Sequence, residues 1–312
     1  EISIHLQSFL GCGVSLASSS SQHQDLSLQN HVTLNEAMCW HMPEAGHNAT
    51  QVKIRLLLKR AIQRYTFRLF LLDEVRNMVS RFVDQTRARG LKPKEIEALE
   101  AQGRLPLKER AMKDLERIQA FLDQLQNLVL DGCMSDFYSI GQRREYNPIR
   151  VFLQKGEEYL EKVAREAVRE QIEIEVYAPL RTVVSRLLVN GWKHDDMEIH
   201  FKMQELRKRP QSLFRIPDNK QSQSGWKSVS SILNEGVGMS TLPCAKLRAI
   251  VDAAREISRV FTEEHGDDDC QDGVVSSSKL GADDFLPIFI YSVVRAEMER
   301  PCALCVLLRT LC

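Results

Sequence analysis

From Val52 to Arg89 the apolar residues recur at three- and four-residue steps: Ile54, Leu57, Leu58, Ile62, Tyr65, Leu69, Leu72, Val75, Val79 and Phe82. That spacing lines one face of a helix; a strand, whose side chains alternate between its faces, would bury none of it coherently. The same spacing returns from Leu107 to Leu130 in Met112, Leu115, Ile118, Phe121, Leu122, Leu125 and Leu128. No internal repeat, phosphate-binding glycine loop or period-two series accompanies it. The expected fold class is all-α, a helical bundle followed by a second helical domain.

Breakers and composition divide the chain further. Residues 1–50, with Ser18–Ser21 and many His, Gln and Asn residues, lack periodicity and are expected to be disordered. Residues 51–147 read as a helical bundle or coiled-coil module. It holds one helix ended by Gly90 and Pro93, a short helix from Pro93, and a longer one closed by Asp131-Gly132. Residues 148–235 read as a second bundle, in which Pro179 kinks or starts a helix, a charged helix covers Met197 to Lys208, and a polar Ser/Gln linker precedes Trp226. Residues 236–312 form the last region, with helices over Pro243–Phe261 and Asp284–Arg300. The acidic stretch between them, 266–278, lacks calcium-hand spacing and reads as a solvated insertion.

With 42 basic and 42 acidic residues the chain has no net charge, so global charge points to no nucleic-acid partner. The basic residues are nonetheless concentrated in the first helical region, 52–89, where an anionic membrane surface is a candidate partner. The eight cysteines lack the spacing of a small disulfide framework and read as reduced thiols. Cys302 and Cys305 have redox or zinc spacing, but no second pair lies at finger distance, and His31, Cys39, His41 and His47 are only a loose group. Neither a cofactor nor a metal is expected. No apolar run reaches the roughly 20 residues that span a bilayer.

The most informative stretch is K-L-G-A-D-D-F-L-P-I-F-I-Y-S-V-V-R-A, residues 279–296. Pro287 is tolerated only early in a helix, which places the start near Asp284. As N-cap, Asp284 would accept the amide of Leu286. Asp283 is then left outside the helix, either as an acid near its positive end or as a group free for other work. The helix itself, with Phe285, Leu286, Ile288, Phe289, Ile290, Tyr291, Val293 and Val294, is apolar on nearly every side and must be buried or meet a partner.

The pattern G-A-D-D-F-L-P-x-x-x-Y-x-x-x-R-A resembles the signature of the vacuolar-protein-sorting-nine (Vps-nine) domain of Rab guanine-nucleotide exchange factors. Three upstream segments are similar in order: E-V-Y-A-P-L at 175–180, S-L-F-R-I-P at 212–217, and L-P-C-A-K-L-R-A-I-V-D-A-A-R-E-I at 242–257. The L-P-x-A-K start and the R-A pair are most similar to the alsin branch. The resemblance implies a GTPase regulator rather than a bond-making enzyme: an exchange factor for a Rab-five-like GTPase, cytoplasmic and peripheral to early endosomes, acting in vesicle-mediated transport. It implies that Asp283 is an acidic finger, and that Phe285, Leu286, Pro287 and Tyr291 shape the groove for the GTPase. It also implies further helices after Cys312, so the domain reads as C-terminally truncated. Glu297 departs from the family, which usually has Asn there. A non-catalytic trafficking adaptor carrying a partial Vps-nine domain is the alternative.

Overall fold

A computed structural model describes residues 49–142, 157–265 and 280–312. The expected disordered segment up to residue 48, the start of the region from Pro148 and the acidic stretch 266–278 lie outside the described residues. Among the described residues all regular structure is helical, as the periodicity requires. The helices are α1 (Ala49–Phe70), α2 (Asp73–Arg89), α3 (Pro93–Ala101), α4 (Arg104–Gln142), α5 (Glu157–Ile172), α6 (Ala178–Leu206), α7 (Lys227–Ile232), α8 (Pro243–His265), α9 (Ala282–Arg295) and α10 (Pro301–Leu311).

They form two compact units, each discontinuous in sequence. One comprises the described residues of 1–88 and 120–179, the other those of 89–119 and 180–312. In the first unit α1 packs on α5. Leu58, Ile62, Leu160 and Val163 are buried there, and Glu166 accepts from both Arg55 and Lys59 at 2.9 Å. Lys59 also pairs with Glu170 at 2.7 Å. Burial opposes the charge on Glu166, but Lys59 and Arg55 outweigh it and hold the carboxyl down to about 2.

Three boundaries differ from the sequence expectation. The first helical region is two helices, because the amides of Leu71 and Leu72 bond back to Arg68 and Leu69, tightening the last turn of α1. Asp73 and Glu74 then open α2, where the helix dipole favours acids. Asp131-Gly132 does not end α4, which runs on to Gln142. Glycine there forfeits about 1 kcal/mol of helix propensity, but Cys133, Phe137 and Ile140 continue the buried stripe and outweigh it. Pro179 is the second residue of α6, where a helix start was expected, but α6 then runs unbroken through the separate helix expected from Met197. A wider five-residue turn, Glu173–Tyr177, precedes Pro179, and the amide of Ala178 bonds to the carbonyl of Glu173. That extra residue makes room for the proline ring against the preceding turn.

In the second unit the core gathers Trp226, Leu233, Ala253, Ile257, Ile288 and Tyr291 from α7, α8 and α9 and the turns between them. The residues before Trp226 are a packed turn, not a free linker. Glu264 accepts from the Ser222 hydroxyl at 3.0 Å and from the Gln223 amide at 2.9 Å, and Ser222 is buried. Burial disfavours the Glu264 charge, but these bonds and those from Ser224 prevail and hold its carboxyl below the usual range. Gly225 and Trp226 both have positive φ, 64° and 57°. For tryptophan this backbone is strained. Full burial of the indole and its 2.9 Å bond to Gln211 Oε1 hold it in place.

Candidate functional site

Helix α9 begins three residues earlier than an N-cap at Asp284 requires. Its N-cap is Gly281, with extended backbone, and the amides of Asp284 and Phe285 bond to the Gly281 carbonyl at 3.1 and 2.9 Å. Asp284 is therefore not the cap. It lies at the third helical position, and its Oδ2 accepts from Lys220 Nζ at 2.6 Å, tying α9 to the short helical turn Asp218–Lys220. A Cβ at position 281 would come within 3.3 Å of that same Asp284 oxygen, so glycine leaves the ion pair room. Asp283 is the second residue of α9, not a residue outside it. Its side chain is exposed and has no hydrogen-bond or ion-pair partner among the described residues.

Pro287 stands inside α9 at the sixth position. Having no N–H, it leaves the Asp283 carbonyl without the amide that would normally reach it from four residues on.

The other site residues divide by face. Asp283, Leu286 and Ile290, at intervals of three and four, share the outward face; Leu286 is 54% and Ile290 46% exposed. Phe285 is half-buried, stacked on Phe289 at 5.7 Å between ring centroids, and Pro287 is also half-buried. Tyr291 is buried, edge-on to Phe214 at 5.1 Å, and its hydroxyl accepts from Arg295 Nε at 2.9 Å. Of the four predicted groove residues, Leu286 faces solvent, Phe285 and Pro287 partly do, and Tyr291 acts from beneath by fixing the helix. The arrangement is an apolar strip that ends in a free carboxylate.

The far end of α9 is held from two sides. Arg207 donates to the carbonyls of Val294 and Ala296, and Asn234 Oδ1 accepts the Glu297 amide at 2.7 Å. The Glu297 side chain is largely exposed and approaches Arg207 at 3.9 Å. Lys246, in the L-P-C-A-K-L segment, donates to the Val237 carbonyl where the preceding helical segment ends. Burial lowers its pKa. Gly236 lets α8 come close, since a Cβ there would fall 2.4 Å from the Cβ of Ala249.

The cysteine pair lies at the start of α10. There Asp196 accepts the amides of Cys302 and Ala303 at 2.7 and 3.3 Å. Burial, with Asp196 nearby, pushes the Cys302 thiol up to about 11, unlike an activated thiolate.

Sequence reasoning missed Lys220, and it named Ile290 in the apolar helix without placing it on the face of Asp283. Nothing local links Lys220 to an aspartate 64 residues away. Ile290 was within reach, because counting helical steps from Asp283 places it on the same face.

Residues 228–312 match the family model of the Vacuolar sorting protein 9 (VPS9) domain. This segment is a VPS9 domain. Domains of this kind bind Rab GTPases and promote their guanine-nucleotide exchange. No curated protein and no solved structure matches the chain. The VPS9 match contains the 242–257 helix and the Asp283–Tyr291 site, whereas the segments at 175–180 and 212–217 lie upstream of it. The second of these still packs with the domain, since Phe214 meets Tyr291 and Ile216 joins the same core.

Proposed function

We propose that the chain is an exchange factor for a Rab-five-like GTPase and works at the cytoplasmic face of early endosomes, with Asp283 as the carboxylate that enters the nucleotide site. The observation that carries this reading is the contrast within the aspartate pair. Asp284 is spent on Lys220, while Asp283 is exposed, lacks a partner among the described residues, and closes the apolar strip of Leu286 and Ile290.

The chemistry follows from charge. A GTPase holds GDP through a phosphate-binding lysine and a magnesium ion. A carboxylate brought to that place competes for the lysine and repels the β-phosphate, so nucleotide leaves faster. The apolar strip supplies the binding energy that keeps the charge there, and each 1.36 kcal/mol by which the nucleotide-loosened state is favoured speeds release about tenfold. The basic region 52–89 is the segment with the charge for contact with an anionic endosomal surface.

Release of fluorescent GDP from a panel of Rab GTPases tests the reading. Acceleration on a Rab-five-like member, lost in Asp283→Ala with melting unchanged, is expected. If Asp283→Ala accelerates release as well as the parent, the acidic-finger role is wrong. A chain that binds the GTPase without accelerating release would be an adaptor.

A further inference from the structure

Helix α1 contains six cations and no acidic residue. The fold sorts those cations into two sets. Arg55 and Lys59 face α5 and are neutralised by Glu166 and Glu170. Lys53, Arg60, Arg64 and Arg68 are exposed, and none has an acidic partner among the described residues. Beside them lie exposed apolar side chains, Val52, Leu56 and Phe67, each more than two-fifths accessible. At 3.6 residues per turn these three fall within an arc of roughly 60°, flanked on one side by Lys53, Arg60 and Arg64.

We infer that this outward face of α1 is a docking surface for an anionic phospholipid membrane. Cations alone would suit any polyanion. Apolar side chains in the same arc would gain nothing from a nucleic-acid backbone, but they fit the boundary between headgroups and acyl chains, with the cations on the phosphates. No described helix is long and apolar enough to cross a membrane, so the contact is one of α1 lying in the interface plane. The inference narrows the basic region 52–89 to one face of its first helix: Arg55 and Lys59 are already neutralised, and on α2 Arg76 and Arg87 pair with Asp73 and Asp84 while the exposed Arg81 and Arg89 have no exposed large apolar side chain on that helix beside them.

Sedimentation of the full chain with vesicles tests this, comparing pure phosphatidylcholine with phosphatidylcholine carrying phosphatidylserine. Binding to the anionic vesicles that weakens with salt is expected. Exchanging Lys53, Arg60, Arg64 and Arg68 for Gln should reduce it about a hundredfold or more. Leu56→Ser with Phe67→Ser should also weaken it, whereas Arg76→Gln with Arg81→Gln on α2 should not. Unchanged melting in all three variants belongs to the expected result, because the altered side chains face solvent. The inference is overturned by absence of binding, equal binding to neutral vesicles, an equal loss in the α2 variant, no effect of the apolar pair, or early melting that shows the face to be core. The assay contains no GTPase, so its failure leaves the exchange reading standing.

Discussion

Replacing Asp284 by alanine removes two interactions at once. The first is the ion pair with Lys220, 2.6 Å long between side chains that are 21% and 30% exposed. Solvent-exposed pairs contribute about 0.2–1 kcal/mol, and this partly shielded one belongs at the upper end of that range. The second is a negative charge in the first turn of α9, which contributes about 0.3–1 kcal/mol. Together they amount to about 1–2 kcal/mol, or a fall of roughly 2–8 °C in the Tm of the unit. Asp283→Ala loses only the second interaction and should destabilise by no more than about 1 kcal/mol. Thermal melting of both variants, with a double-mutant cycle through Lys220→Met, measures the difference. The cycle should give a coupling energy of about 1 kcal/mol. Additive effects of Asp284→Ala and Lys220→Met, or a greater loss from Asp283→Ala than from Asp284→Ala, would refute this assignment of the two aspartates.

Three further outcomes are expected. Gly236→Ala should destabilise by about 1–3 kcal/mol in denaturant titration, because its Cβ would sit 2.4 Å from that of Ala249 and the turn must move away from α8. Glu166 is held at about 2, below its ordinary 4.5, so its contribution is complete above about pH 4.5 and disappears as pH falls toward 2. Glu166→Gln should therefore lower stability at neutral pH by up to about 3 kcal/mol and flatten the acid limb of a stability-versus-pH curve, and an unchanged acid limb would rule this out. Leu286→Ser combined with Ile290→Ser should weaken GTPase binding and exchange with little change in Tm, since both side chains face solvent. A large loss of Tm would instead place the strip in the core.

The sequence by itself determined the helical class, because three- and four-residue spacing fits no other element. It also determined the VPS9 relationship, because the Gly281–Tyr291 pattern is local and depends on side-chain identity. It singled out Asp283 as the spare carboxylate, although by the wrong route. The cap is Gly281, and what separates the two aspartates is Lys220, a contact between residues 64 positions apart that no local rule contains. Tertiary structure decided the rest for the same reason. Tyr291 is buried because Phe214 and Arg295 reach it, and Gly132 remains helical because Phe137 and Ile140 have a core to enter. The six cations of α1 look alike in sequence, and only the carboxylates of α5 divide them into a paired set and an exposed one. Periodicity shows which face of a helix is apolar, but the partners that neutralise a charge or cover a ring come from distant segments brought together by folding.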